Sequence, residues 1–462
     1  MKKISALLSG VIACAMAISG IGMTVGAANV VEIPGTEVDS VYNMKVDSNT
    51  IEGWPAGPQI YSESGIVMDM DSGAVLYAKK IDDQHYPASI TKVATALVAL
   101  QNYQMDETVT FTWDDIGFLE YGDAHIGIKD GEELLMEDAM YGMLLASANE
   151  VSHAIGAHME GGYEVFLQKM NEAAAALGCR NSHFTNTHGL HDPEHYTCVR
   201  DMALIGSAVF QYEKFREITG TLQHTIPSTN ITEETRTFQQ NHKMLWKANA
   251  NYYEYCVGGK TGYTDQALTT LVTFATKEDK NLVAVVMRTH GGGQNAYADT
   301  RAMLDYVFDN FAKVPVTKEM AAGADFKVAD IAEVEAGASL MLPNGVTTEN
   351  LDSVFTVPTE LHDKVGTVSF TYKGQEVGTV KVTVTDDYYN EVHGIQPEEE
   401  TQEVQEKKSG LPGWAKWLLG ILGVLLLAFA SLVGYVYYKR KQLEKKRRQR
   451  RMEQRRRREE GL

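Results

Sequence analysis

The sequence predicts an α+β fold: an antiparallel sheet carrying an inserted helical subdomain, then a small all-β domain and one C-terminal transmembrane helix. Three observations carry this expectation. Strand-like, helical, strand-like and again helical patterns follow one another between residues 58 and 313, the order of an α+β domain. From residue 314 the apolar period falls to two, as in half-buried strands. From Trp417 to Tyr438 no residue is charged, and about 22 helical residues span about 33 Å, the depth of a bilayer core.

The N-terminus reads "MKKISALLSGVIACAMAISGIGMTVGAANV". Two lysines, a long apolar run and small residues give a signal peptide over 1–27, cut near Ala27 or Ala28. A competing lipid-attachment reading at Cys14 is weakened because the apolar run continues past it. Residues 28–57 are a polar, Pro/Gly-punctuated lead-in. "SGIVMDMDSGAVLYAKK" places two apolar runs around Asp71-Ser72-Gly73, a hairpin. Helical patterns dominate from 88 to about 220. Strands return at "ALTTLVTFATK" and "NLVAVVMRTH", turning at Glu278-Asp279-Lys280, and "AYADTRAMLDYVFDNF" closes the block.

The β domain at 314–392 turns a hairpin at Lys373-Gly374. An acidic linker at 393–412 leads to the spanning segment at 413–438. Trp414 and Trp417 mark one membrane interface, and Tyr435, Tyr437 and Tyr438 the other. The basic tail at 439–462 then faces the cytoplasm by the positive-inside rule. The expected location is a cell membrane crossed once, with the intervening domains outside the cytoplasm.

Charge narrows the partners. The chain has 42 Lys/Arg against 61 Asp/Glu, but its last 24 residues hold 13 and 4, leaving the rest at −28. A body that acidic does not offer a nucleic-acid surface, and anionic lipid accounts for the basic tail. Beyond Cys14, the cysteines Cys179, Cys198 and Cys256 are an odd number without metal-like spacing. They read as small buried apolar groups, with one pairing left open.

The chemistry-bearing stretch is "PASITKVATALVAL", residues 87–100. A helix apolar nearly all round is buried, and positions i and i+3 share a face, so Ser89 and Lys92 approach each other. Desolvation lowers the lysine pKa, and a neutral amine beside a hydroxyl is a base beside a nucleophile. Alone, the pair reads more readily as a cap and a snorkelling lysine. Two further motifs change this: Ser147-Ala148-Asn149 after an apolar helical run, and Lys260-Thr261-Gly262 at a strand start. S-x-x-K, S-x-N and K-T-G in that order mark the penicillin-recognising serine enzymes.

With "GEELLMEDAMYGMLLASANEVSHAIGAH", "MNEAAAALGCRNSHFTNTHGLHDPEHYTCVRDMALIG" and "GGKTGYT", the stretch at 58–312 resembles the D-alanyl-D-alanine carboxypeptidases among the low-molecular-mass penicillin-binding proteins. The resemblance implies the penicillin-binding-protein/β-lactamase-like transpeptidase fold, a stem peptide ending in D-Ala-D-Ala as substrate, β-lactams as ligands, and no metal or cofactor. It implies that Ser89 attacks the penultimate D-alanine carbonyl and that Lys92 takes its proton. Ser147 relays a proton to the leaving amine, and Asn149 holds the substrate amide and Lys92. Lys260 and Thr261 meet the substrate carboxylate, and Gly262 lets the substrate lie along the strand. The oxyanion hole is the Ser89 N–H with one from the strand after K-T-G. Three positions depart from the family pattern: Glu150 for Asp, Leu268 for Gly and Cys198 for Ala. Arg288 reads as an exposed strand-end residue, with carboxylate binding as the alternative.

Rival readings stay open at this level. His183, His188, His191 and His195 fall within thirteen residues, but no H-E-x-x-H accompanies them. A β-lactamase shares the three motifs yet needs an E-x-x-L-N segment, which is absent between Asn149 and Lys260. A silent wall-binding module leaves three intact motifs unexplained. A transpeptidase differs only in the acceptor.

Overall fold

The computed structural model describes residues 37–323, 326–357 and 364–395, with Tyr435, Lys439 and Lys441 beyond them. β1 (Ser62–Asp69) and β2 (Val75–Lys79) form the expected hairpin, and Gly73 takes φ +73 in its turn. The chain then leaves the sheet for helices Thr91–Asn102, Met136–Leu145, Asn149–Ala157, Tyr163–Ala176 and Val199–Phe210. Two short antiparallel strand pairs lie in this stretch and just after it: β3 (Thr108–Thr110) with β4 (Glu133–Leu135), and β5 (Gln223–Ile226) with β6 (Arg236–Gln239). The chain returns through β7 (Cys256–Thr264), β8 (Leu268–Lys277) and β9 (Lys280–Thr289). The result is a five-stranded antiparallel sheet in the order β2-β1-β9-β8-β7.

Side chains alternate across this sheet, as the two-residue strand period requires. Ile66, Met68, Val272, Phe274, Val283, Val285 and Met287 face the helical subdomain. Val67, Leu271, Ala275, Leu282, Ala284 and Val286 face the other way, toward helix Gly293–Asn310. The sheet is therefore apolar on both faces and lies between two helical layers. Its β7 edge borders the helical subdomain, and the site forms there.

The β-rich region follows. β10 (Phe311–Pro315) pairs with β12 (Ser339–Pro343). β11 (Ile331–Val334), β13 (Asp352–Thr356), β14 (Val365–Tyr372) and β15 (Gln375–Val384) form an antiparallel sheet in the order β11-β15-β14-β13. Its core is not a separate one: Val368, Phe370, Val380 and Val382 share a cluster with Met303, Leu304 and Val307 of the long helix. The segment before β1 is also more than a lead-in. Trp54 is buried against Phe311 and Tyr372, at 5.1 and 6.5 Å between ring centroids, and donates to the Leu76 carbonyl at 3.1 Å.

The chain divides into two units, Met1–Tyr389 and Asn390–Leu462. Among the described residues no helix is long and apolar enough to cross a membrane. The expected signal peptide at 1–27 lies outside the described residues. So do the linker beyond 395, and the spanning segment and basic tail apart from Tyr435, Lys439 and Lys441.

Candidate active site

Pro87 ends the approach to a short 3₁₀ turn, Ala88–Ile90, that opens into helix Thr91–Asn102. Ala88 takes φ +51, a left-handed conformation that a β-carbon disfavours. This kink leaves Ser89 half-exposed while Lys92, one turn later, is fully buried. Lys92 Nζ lies 3.0 Å from Ser89 Oγ, 2.7 Å from Asn149 Oδ1 and 2.6 Å from the His188 carbonyl oxygen.

Those three partners can accommodate a neutral amine. The Asn149 and His188 oxygens can only accept. A neutral amine has two N–H groups, which these acceptors use, and its lone pair is left facing the Ser89 hydroxyl. Electrostatics agrees: burial first, then the charge of Lys260, hold the Lys92 pKa well below the ordinary lysine value. The pair is thus arranged as nucleophile and base.

The second motif lies at a break between two helices, after the apolar helical run. Helix Met136–Leu145 stops, Ser147 takes φ +64, and a new helix starts at Asn149. The break turns Ser147 and Asn149 to the same site. The Asn149 N–H donates to the Ala124 carbonyl at 2.8 Å, joining loop 117–131 to the motif. The third motif lies on β7. Lys260 Nζ donates to Ser147 Oγ at 3.0 Å and to the Thr261 carbonyl at 2.8 Å, and burial brings its pKa down to about 7. A carboxylate entering beside it favours the charged form.

Gly262 has a reason within the fold itself. A β-carbon there would lie 2.9 Å from the Ser89 nitrogen, 3.1 Å from the Ile90 nitrogen and 2.4 Å from Thr270 Oγ1. The glycine admits the nucleophile turn against β7. Ser89, Ser147, Thr261 and Gly262 line one cleft of about 350 Å³, with Ala124, Asn241, Tyr263 and Tyr297 completing its walls. A larger cleft of about 700 Å³ lies at the other end of the same strands, between Met70, Asn281 and Arg216, and holds none of the motif residues.

Sequence reasoning missed the His188 carbonyl, a main-chain atom without a side-chain signature. The "HGL" stretch was its available trace. The four histidines diverge: His183 bonds the Glu194 carbonyl, His188 stacks on Phe118, His191 meets the Tyr86 ring edge-on, and His195 bonds Thr91. Among the described residues no group of three His, Cys, Asp or Glu could hold a metal. Arg288 is not an exposed strand-end residue. It is 4% exposed, donates to Glu63 at 2.8 Å and to the Gln266 carbonyl at 2.9 Å. Cys179, Cys198 and Cys256 are free thiols, and Cys179 is only half-buried.

Residues 51–291 match the family model of the D-alanyl-D-alanine carboxypeptidases. The chain is 28% identical over 327 residues to D-alanyl-D-alanine carboxypeptidase DacF of Bacillus subtilis, covering 69% of this chain and 80% of that one. It is 30% identical over 350 residues to DacA of Escherichia coli, covering 70% and 82%. Among solved structures, the Streptomyces K15 DD-transpeptidase superposes with a TM-score of 0.51 at 25% identity, covering 55% of this chain and all of that one. A D-alanyl-D-alanine carboxypeptidase from Mycobacterium tuberculosis gives 0.51 at 30% identity, covering 56% and 95%.

Proposed function

The chain belongs to the D-alanyl-D-alanine carboxypeptidase family and is a peptidase, and we propose that it removes the terminal D-alanine of peptidoglycan pentapeptides through an acyl-enzyme on Ser89. The observation that carries the assignment is the setting of Lys92: fully buried, with Nζ 3.0 Å from Ser89 Oγ and its pKa held well below the ordinary lysine value by burial. Ser89 Oγ bonds to the penultimate carbonyl carbon as its proton passes to Lys92. The Ser89 N–H and one N–H of β7 beyond Gly262 receive the oxyanion, the type of contact that contributes most in acyl transfer. The C–N bond then breaks, and the departing amine takes a proton through Ser147, which Lys260 orients. Water attacks the ester, gives its proton to the same base, and restores Ser89. Lys260 and Thr261 bind the terminal carboxylate.

A β-lactam follows the same first step, but its amine stays tethered, so a covalent adduct accumulates. Intact-mass and peptide mass spectrometry of the full-length chain after benzylpenicillin is expected to place one adduct on Ser89. Unchanged D-alanine release by Ser89→Ala would overturn the assignment. The likeness to a protein described as a DD-transpeptidase favours a second acceptor reaction, read by adding an amine and following the cross-linked product.

The sequence of 413–438 and its flanks supports attachment to the membrane by that segment, with the catalytic unit outside and the tail in the cytoplasm. Protease added to intact cells is expected to remove the catalytic unit and spare an epitope at the C-terminus. Protection of the catalytic unit would reverse the topology.

A further inference from the structure

We propose that Thr91 and His195 form a hydrogen-bonded relay that aims the Ser89 N–H into the oxyanion position, making them positioning residues for acylation. The inference rests on the Ser89 assignment above. It begins with one peptide unit. The Ala88 carbonyl and the Ser89 N–H belong to the same planar peptide and point in opposite directions, so whatever fixes the first aims the second.

The Ala88 carbonyl is fixed from several sides. It accepts the Thr91 hydroxyl at 2.8 Å as well as the Thr91 backbone N–H. Gly189 backs directly onto it: a β-carbon at 189 would lie 1.9 Å from the Ala88 oxygen. On the preceding residue, Thr270 Oγ1 donates to the Pro87 carbonyl at 2.8 Å. Ala88 keeps φ +51 within this frame, and a left-handed alanine persists only where its surroundings over-determine it.

The relay has a direction. The Thr185 N–H donates to His195 Nδ1 at 3.0 Å, so in the neutral ring the proton sits on Nε2. His195 Nε2 therefore donates to Thr91 Oγ1, 2.8 Å away, and the Thr91 proton is left for the Ala88 oxygen. His195 is buried, which holds its pKa down to about 3 and keeps the ring neutral. Neither side chain lines the cleft. Both act through the peptide that carries the nucleophile.

The test compares the full-length wild type with Thr91→Val, which keeps the shape and loses the hydroxyl, and Thr91→Ser, which keeps the hydroxyl. For Thr91→Val, kcat/KM on a D-Ala-D-Ala pentapeptide and the rate of benzylpenicillin acylation are expected to fall about 10- to 100-fold, part of the 10²–10³ that a lost oxyanion donor costs. A peptidyl boronic acid, whose adduct with Ser89 is tetrahedral, should bind Thr91→Val more weakly by a similar factor. Thr91→Ser should restore both, and His195→Phe should resemble Thr91→Val. The titre of penicillin-reactive sites should stay at one per chain, which separates mis-aiming from misfolding. Wild-type rates and boronate affinity in Thr91→Val would overturn the relay, as would an equal loss in Thr91→Ser. A wild-type chain that forms no Ser89 adduct would overturn the carboxypeptidase assignment itself.

Discussion

Two of the fully buried lysines among the described residues, Lys79 and Lys92, do opposite things. Lys79, at the end of β2, donates to three main-chain carbonyls: Val41 at 2.8 Å, Ile60 at 2.9 Å and Ser62 at 2.9 Å. Three acceptors use all three N–H groups of an ammonium. Burial lowers its pKa only to about 8, opposed by the nearby Asp299 carboxylate, so Lys79 is charged at neutral pH. It ties the segment before β1 to the sheet. Lys92 has two acceptors and one hydroxyl, and the strongest charge acting on it is another lysine, Lys260, ahead of the opposing carboxylates Glu150 and Asp123. Burial alone therefore does not make a base. The count of pure acceptors and the sign of the strongest neighbouring charge decide it.

The largest effect should come from replacing each lysine by a shape-matched apolar group. Lys92→Met removes the base, and the penicillin acylation rate should fall by roughly 10²–10⁴, while a denaturant titration shows the fold retained. Lys79→Met should do the reverse. It leaves three carbonyls without their donor, at about 1 kcal/mol or more each, so the unfolding free energy should drop by about 3 kcal/mol with acylation per folded molecule unchanged. A catalytic loss in Lys79→Met at full folding would break the comparison.

Next in size is a substitution that gives Lys92 the environment of Lys79. Asn149→Asp keeps the shape and the acceptor but adds a carboxylate 2.7 Å from Nζ. An adjacent opposite charge favours the ammonium, so the Lys92 pKa rises. Activity at neutral pH should fall, and the acid limb of the kcat/KM profile should move to higher pH, with recovery in alkaline buffer. A pH-independent loss would show that Asn149 acts on the substrate rather than on the lysine.

The comparison also explains what could be read from sequence. The three motifs were legible because each is short and their order is informative. The two sheets were legible because the hairpins at Ser72-Gly73 and Lys373-Gly374 are local events, and so was the helical insertion between β2 and β7. The rest depended on distant partners or on backbone angles. Lys79 looks like any strand-end lysine until Val41 and Ile60 fold over it. Arg288 looked exposed because Glu63, its partner, is 225 residues away. The left-handed turns at Ala88 and Ser147 fall on residues with no preference for them, and the His188 carbonyl has no residue type to betray it.

The smallest effect tests the other half of the comparison. Asp299 accepts from the Tyr61 N–H, the Ser62 N–H and the Ser62 hydroxyl, at 3.0, 2.8 and 2.7 Å, and its charge helps keep Lys79 protonated. Asp299→Asn removes that charge and one of the two acceptor oxygens with little change in shape, so the unfolding free energy at neutral pH should fall by about 1–2 kcal/mol, the cost of leaving a buried donor at residues 61–62 without its acceptor, and activity per folded molecule should hold. The pH dependence carries the sign. A lysine whose folded pKa lies below its unfolded value binds fewer protons folded than unfolded between the two, so its contribution to stability rises with pH across that window. In the wild type the window opens near the Lys79 value of about 8 and closes at the ordinary lysine value of 10.5. Without the Asp299 charge its lower edge moves toward neutral pH, and the rise should begin earlier in an unfolding series followed from pH 6 to 10. An identical pH series in the two proteins would mean that Asp299 serves only Tyr61 and Ser62 and that acceptor count, without a counter-charge, keeps Lys79 an ammonium.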